Sequence, residues 1–173
     1  MTPDFTIVTN CAEHADGIAA VTREAFALEY GSGDGEVALI AKLRADGDVA
    51  VELAALAGRE IVGHALFSRL TVEPATLKIA ALAPVSARVD RQKSGIGSAL
   101  IHEGLARCKA LGFDAVTVLG DPGYYERFGF TSEIAQRFDC PYSGPHFQAL
   151  ELRDGASQLG KWRLVYPPAF SAV

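Results

Sequence analysis

Ala81-Leu82-Ala83-Pro84-Val85-Ser86-Ala87-Arg88-Val89-Asp90-Arg91-Gln92-Lys93-Ser94-Gly95-Ile96-Gly97 decides how this chain is read. An apolar strand runs out into a short polar loop, and a helix begins on two glycines. The first N–H groups of a helix have no partner inside it and sit at the positive end of its dipole, so they attract anions. Glycine lets a ligand come close to the backbone. The pattern Gln92-x-x-Gly95-x-Gly97 therefore points to a phosphate-bearing ligand, although glycines also open helices for packing alone. It is neither the G-x-G-x-x-G spacing of dinucleotide folds nor a Walker loop, which needs Lys-Ser/Thr after its last glycine.

Pro84 adds a second signal. Proline cannot donate to a sheet ladder, so inside an apolar strand it marks an edge, a bulge or a parting of strands. A strand that parts from its neighbour leaves amides and carbonyls free beside the phosphate loop. An extended ligand with amides of its own would complete them. Coenzyme A has that form: a pyrophosphate with a pantetheine arm carrying two amides.

A second segment lies downstream, Leu119-Gly120-Asp121-Pro122-Gly123-Tyr124-Tyr125-Glu126-Arg127-Phe128-Gly129-Phe130. Together the two segments resemble the GNAT superfamily of N-acetyltransferases. Gln92 to Gly97 is similar to its Q/R-x-x-G-x-G/A cofactor motif. Tyr124 to Phe130 is similar to its F-Y-x-x-x-G-F element, with Tyr124 at the Phe position and Tyr125 at the Tyr position. The wording Gly-Asp-Pro-x-Tyr-Tyr resembles a bacterial branch of small predicted acetyltransferases. The tail resembles that branch too, through Phe147-Gln148-Ala149-Leu150-Glu151-Leu152 and Tyr166-Pro167-Pro168-Ala169-Phe170. Two positions depart from the family's habit: Val89 stands where Pro is frequent, and Ser94 where Arg, Lys or Gly is. Neither removes a backbone N–H from the loop.

The resemblance implies one GNAT-like domain over residues 1–173. Its fold class is α/β of the α+β type: a mixed, mostly antiparallel sheet with a splayed central strand pair and helices on both faces. It implies an acetyl-CoA-dependent N-acetyltransferase, with acetyl-CoA as cosubstrate and no metal, in which a primary amine attacks directly within a ternary complex. Tyr125 becomes the acid for the leaving thiolate, and Tyr124 packs. Val85, Ser86 and Ala87 pair with the pantetheine arm, and N–H groups near Val85 receive the oxyanion. Gln92, Lys93, Ser94, Gly95, Ile96 and Gly97 wrap the pyrophosphate, with Arg91 and Lys93 as added charge. Glu36 is the leading candidate for an acceptor-site base; His64, which could equally be a satisfied core histidine, and Asp121, which could instead cap the short helix that carries the tyrosines, are alternatives, as is a water chain. The rival from another class is a non-catalytic acyl-CoA-binding or sensor module.

Composition narrows the classes further. The chain has 173 residues, 49% apolar and 21% charged, which suits one globular domain with a core of its own. Its net charge is −5 and its cations form no stripe, so nucleic acid is not an expected partner. No apolar run is long enough for a bilayer, and no leader pattern opens the chain; the expectation is a cytoplasmic protein without a membrane partner. Cys11, Cys108 and Cys140 are odd in number and scattered, which suits neither a disulfide framework nor zinc. The expected partner is a small-molecule or peptide amine, and a homodimer is common among such enzymes.

The hydrophobic pattern predicts strands over Phe5–Thr9, Val49–Ala57, Glu60–Val72, Leu77–Ala87, Ala115–Leu119, Phe147–Leu152 and Trp162–Tyr166. It predicts helices over Cys11–Leu28, Glu36–Asp46 (with Asp34 as N-cap), Gly95–Leu111 and Pro122–Arg127. Gly31 to Gly35 reads as a flexible loop.

Overall fold

The computed structural model describes residues 2–172. In chain order the elements are β1 (Thr6–Val8), α1 (Ala15–Tyr30), α2 (Asp34–Asp46), β2 (Val49–Ala57), β3 (Glu60–Arg69), β4 (Thr71–Glu73), β5 (Ile79–Ala87) and α3 (Ile96–Ala110). There follow β6 (Ala115–Leu119), α4 (Pro122–Tyr125), α5 (Ser132–Ala135), β7 (Phe138–Asp139), β8 (Phe147–Glu151) and β9 (Trp162–Val165). Single 3-10 turns cover Cys11–His14, Val89–Arg91, Glu126–Phe128 and Pro168–Ala172.

Six strands form a mixed sheet in the order β1-β2-β3-β5-β6-β8. Every neighbouring pair is antiparallel except β5 and β6, which run parallel. Parallel neighbours need a crossover, and α3 supplies it. Strand alternation sends Ala80, Leu82, Val116 and Val118 to one face, where they pack under Leu100, Ile101, Leu105 and Cys108 of α3. Each fully buried Leu or Ile of this stripe contributes about 1.5–3 kcal/mol of transfer free energy. The opposite face is covered in two blocks. Ile18 and Val21 of α1 and Leu39, Ile40 and Leu43 of α2 cover Ala54 and Leu66. A second sheet, in the order β4-β9-β7, brings Trp162 and Leu164 over Ile79, Ala81 and Ala115.

Glycines set how closely α3 approaches the sheet. A Cβ at Gly104 would stand 2.1 Å from the Phe67 ring, and one at Gly63 2.5 Å from Ile96 Cγ2. No side chain fits at either crossing.

The structure departs from the predicted elements in several places. The run Glu60–Val72 is two strands: β3 stops at Arg69, and Thr71–Glu73 turns into the second sheet against β9. The apolar pattern continues through the corner because Leu70 and Val72 are both buried, in a different layer. The first turn of the predicted Cys11–Leu28 helix is 3-10, and α1 runs on to Tyr30 before Gly31 closes it at φ +83°. Asp34 does not cap α2; Gly33 does, and Asp34 is the first helical residue. The Gly31–Gly35 segment is a tight corner rather than a free loop: a Cβ on Gly33 would stand 2.5 Å from the Arg23 carbonyl oxygen, and Asp34 pairs with Arg23 at 2.8 Å. The short elements α5 and β7 had no predicted counterpart.

Candidate active site

β5 and β6 are paired only from Ile79 to Leu82 and from Ala115 to Val118. Beyond Leu82 the two strands separate. On its other side β5 stays paired to β3, but with one residue extra: Phe67 faces Leu82 and Ala65 faces Val85, so Ala83 and Pro84 form a bulge opposite Leu66. The strand therefore leaves β6 at Pro84. The Arg88 N–H donates to the Val62 carbonyl at 2.9 Å, and strand alternation then turns the backbone of Ser86 toward β3 as well. Val85 and Ala87 turn their N–H and C=O groups toward the gap. Ser86 is buried, with its hydroxyl 3.3 Å from that of Thr22 on α1. Of the three residues expected along the pantetheine arm, Ser86 is the one that faces away.

The loop at the open end of the gap has an unusual backbone. Lys93 has φ 63° and Gly95 φ 92°, so two left-handed residues bracket Ser94. A left-handed non-glycine residue costs roughly 1–3 kcal/mol and persists where a site over-determines it. The Ser94 hydroxyl donates to the Arg91 carbonyl, and Gln92 Nε2 reaches the Ala87 carbonyl at 3.5 Å. These contacts hold the loop onto the end of β5. Gln92, Lys93, Ser94 and Gly95 are exposed, and nothing lies within 4 Å of a Cβ built on Gly95. The cradle is thus open above unpaired helix-start amides, and it fits a pyrophosphate. Ile96 contributes only backbone, because its side chain is buried against Gly63. Arg91 is held by Asp4 at 2.6 Å, whereas Lys93 makes no ion pair among the described residues.

Past β6 the chain turns through Gly120 into α4. Asp121 caps that turn by accepting the Gly123 N–H at 3.0 Å, with Pro122 at the first helical position. Its carboxylate is a cap, which answers the suggestion of a base there. Tyr124 directs its hydroxyl at α3: it lies 3.1 Å from where a Cβ on Gly97 would stand. Tyr124 packs against Tyr125 and Phe128 with its hydroxyl beside Gly97 at the start of α3. The Tyr125 ring meets Tyr124 edge-on at 5.0 Å and Phe130 at 5.9 Å. Burial pushes the Tyr125 phenol well above its ordinary range, and Tyr124, Tyr30 and Glu29 add to the shift. The phenol holds its proton throughout the neutral range.

The remaining candidates separate by position. Glu36 sits in the first turn of α2, half-buried. Tyr30 is raised first by burial, then by Glu29 and by the charge of Glu36, and Tyr125 in turn is raised by Tyr30 and Glu29. Glu36 thus lies on the corner between α1 and α2, where its charge is felt at Tyr30. His64 is not on that corner. It is fully buried, its Nε2 lies 2.8 Å from Glu52 Oε1, and Arg44 Nε holds both oxygens of Glu52 at 3.1 Å. Burial drives the His64 value down, and Arg44 adds to that against the pull of Glu52. His64 Nδ1 is buried without a partner, which suits a neutral ring that donates from Nε2. Burial alone would raise Glu52, but the hydrogen bonds from His64 and Arg44 outweigh it and the net shift is downward. His64 is a core histidine pinning β3 to β2 and α2. Neither Arg44 nor Glu52 was singled out in the sequence, because the network spans three elements. Two other clefts, of about 840 Å³ beside Trp162 and about 500 Å³ beside Arg88, are lined by neither Val85, Gly95 nor Tyr125. The strand gap and the loop, where Val85, Gly95 and Tyr125 lie, are separate from those clefts.

A six-stranded sheet whose parallel central pair splits beside a glycine-bracketed helix start defines an acyl-CoA-dependent transferase architecture. The profile of the Acetyltransferase (GNAT) family matches residues 19–130, and the chain belongs to that family of acetyltransferases. It is 33% identical over 147 residues to the uncharacterized N-acetyltransferase YhbS of Escherichia coli (strain K12), covering 82% of this chain and 84% of that protein. It is 32% identical over 146 residues to YjhQ of the same strain, covering 82% and 78%. Among solved structures, E. coli YhbS in complex with CoA superposes with a TM-score of 0.88 at 28% identity, over 99% of this chain and 95% of that one. A GNAT family acetyltransferase from Brucella melitensis in complex with acetyl-CoA gives a TM-score of 0.80 at 31% identity, over 96% and 97%.

Proposed function

We propose that this protein transfers the acetyl group of acetyl-CoA to a primary amine by direct attack in a ternary complex. The observation that carries this is the gap: β5 leaves β6 after Leu82, with the backbones of Val85 and Ala87 turned to the open side and the helix-start amides of α3 at its end. Relatives of the same architecture bind CoA and acetyl-CoA, which supports the ligand assignment.

Three demands follow from the chemistry. The amine must attack as the free base, whereas an alkyl ammonium has a pKa of roughly 10.4. Glu36, on the α1–α2 corner, takes up that proton directly or through water. The amine nitrogen then bonds to the thioester carbon, and the oxyanion is received by N–H groups of the splayed strand near Val85. The C–S bond breaks, its electron pair stays on sulfur, and Tyr125 delivers a proton to the thiolate. A free thiol has a pKa of roughly 8.5, below that of the phenol, but desolvation in the gap raises a thiolate as it raises Tyr125. The rise of the thiol offsets the rise of Tyr125, so burial of the phenol does not by itself widen the mismatch between proton donor and acceptor. A protonated, enclosed Tyr125 also speaks against a binding-only module, for which the hydroxyl has no task.

Thiol titration tests the reading. Purified protein, acetyl-CoA and a panel of phenethylamine, spermidine and a lysine-containing peptide should release free CoA with at least one amine. Tight acetyl-CoA binding with no amine-dependent release across a broad panel would favour the sensor module instead.

A further inference from the structure

We infer that Gln148 is a positioning residue for Tyr125, acting through the backbone of Gly120; this rests on the acid role proposed for Tyr125. The Tyr125 ring lies directly on Gly120. A Cβ at Gly120 would stand 2.5 Å from Tyr125 Cε2 and 3.1 Å from Cδ2. Aromatic rings enclose the other sides, Tyr124 at 5.0 Å, Phe130 at 5.9 Å and Phe128 at 6.3 Å. The position of the phenol is thus set by where the Gly120 backbone sits.

Gly120 lies beyond the last paired residue of β6 and is fixed by two hydrogen bonds. Its N–H donates to the His146 carbonyl at 3.0 Å. Its carbonyl accepts from Gln148 Nε2 at 3.2 Å, and the same nitrogen lies 3.5 Å from the His146 carbonyl. One carboxamide therefore ties the exit of β6 to the start of β8, using both amide protons. Gln148 is only 1% exposed and stands opposite Val118, on the apolar face toward α3. A polar side chain there is costly unless its hydrogen bonds are made. Its cross-strand partner Val118 and the next residue of β8 on the same face, Leu150, are apolar. What an aliphatic residue lacks is the donor that holds Gly120, and with it the platform under the catalytic ring.

The test is a cycle of Gln148→Met and Tyr125→Phe, assayed for thiol release with acetyl-CoA and the fastest amine of the panel. Displacement of a reacting group by about 1 Å can cost about a hundredfold. Gln148→Met should lower kcat about tenfold or more at nearly constant KM for acetyl-CoA. In the Tyr125→Phe background the same change should cost less than about twofold, since no hydroxyl remains to misplace. Equal losses in both backgrounds overturn the inference, because they mark a general structural role. The aromatic resonances of Tyr125, assigned by comparison with Tyr125→Phe, should shift or broaden in Gln148→Met; unchanged resonances overturn it too. If Tyr125→Phe alone keeps full kcat, the acid role falls, and the resonances still decide whether Gln148 positions the ring. Should Gln148→Met fail to fold, the near-isosteric Gln148→Glu serves. Its carboxyl can donate to Gly120 only when protonated, so kcat should fall with rising pH relative to wild type. A parallel pH profile contradicts the inference.

Discussion

Tyr125→Phe removes one oxygen and leaves everything that holds the ring. Gly120 lies beneath the ring, Tyr124, Phe128 and Phe130 surround it, and the hydroxyl makes no hydrogen bond among the described residues. Phenylalanine fits the same box, so the melting temperature should hardly move. The loop contacts proposed for the cofactor lie on β5 and α3, so the acetyl-CoA Kd should change little as well. What is lost is the proton for the departing thiolate. General acid catalysis is worth about 10²–10⁴-fold, or about 2.7–5.4 kcal/mol of barrier at about 1.36 kcal/mol per decade. The expected signature is a fall in kcat of that size at constant Kd, the mark of an interaction made in the transition state. Stopped-flow thiol release gives the chemical step, and calorimetry gives Kd. Full kcat in the variant, with chemistry shown to limit the rate, would refute the role and leave Tyr125 as packing.

Tyr124→Phe should show the reverse split, because its hydroxyl borders Gly97 at the loop: kcat close to wild type and a modestly weaker acetyl-CoA Kd by calorimetry. A kcat loss as large as that of Tyr125→Phe would contradict this. Gly97→Val brings side-chain atoms to the loop and against the Tyr124 hydroxyl, so a folded variant should lose acetyl-CoA affinity; unchanged affinity means the ligand binds elsewhere. Gly104→Ala pushes a methyl to 2.1 Å from the buried Phe67 ring and should cost about 1–3 kcal/mol, seen as a lower denaturation midpoint. His64 and Glu52 both lie below their ordinary values of 6.5 and 4.5 in the folded state. The folded state then binds fewer protons than the unfolded one, so their stabilisation is present above those values and is lost as pH falls. The melting temperature should decline below pH 6.5 through His64 and again below pH 4.5 through Glu52; a flat profile between neutral pH and 4 contradicts the network.

The parts legible in the sequence are those written in short-range chemistry. The glycine-started helix α3, the strand ahead of it and the Tyr124-Tyr125 turn each depend on neighbours within a few residues: helix spacing, backbone freedom at Gly95, a cap at Asp121. The β2 and β6 bounds match the predicted ones residue for residue, because alternation and continuous burial mark them locally. Pro84 could be read as a break, since a missing N–H is a property of the residue itself. Tertiary structure decided the rest. Whether Val72 continues β3 or turns into a second sheet depends on β9, where it pairs with Leu164 and is buried, far along the chain. Ser86 faces α1 and β3 instead of the gap because the β3 register sets which side each β5 residue presents. His64 is a core residue because Arg44 and Glu52 converge on it from two other elements. Gln148, one polar residue in an apolar strand, gains its meaning only when β8 pairs with β6 and sets its amide against Gly120. Partners brought together by strand pairing and layer packing leave no local pattern, because the free energy that selects them comes from contacts far apart in the chain.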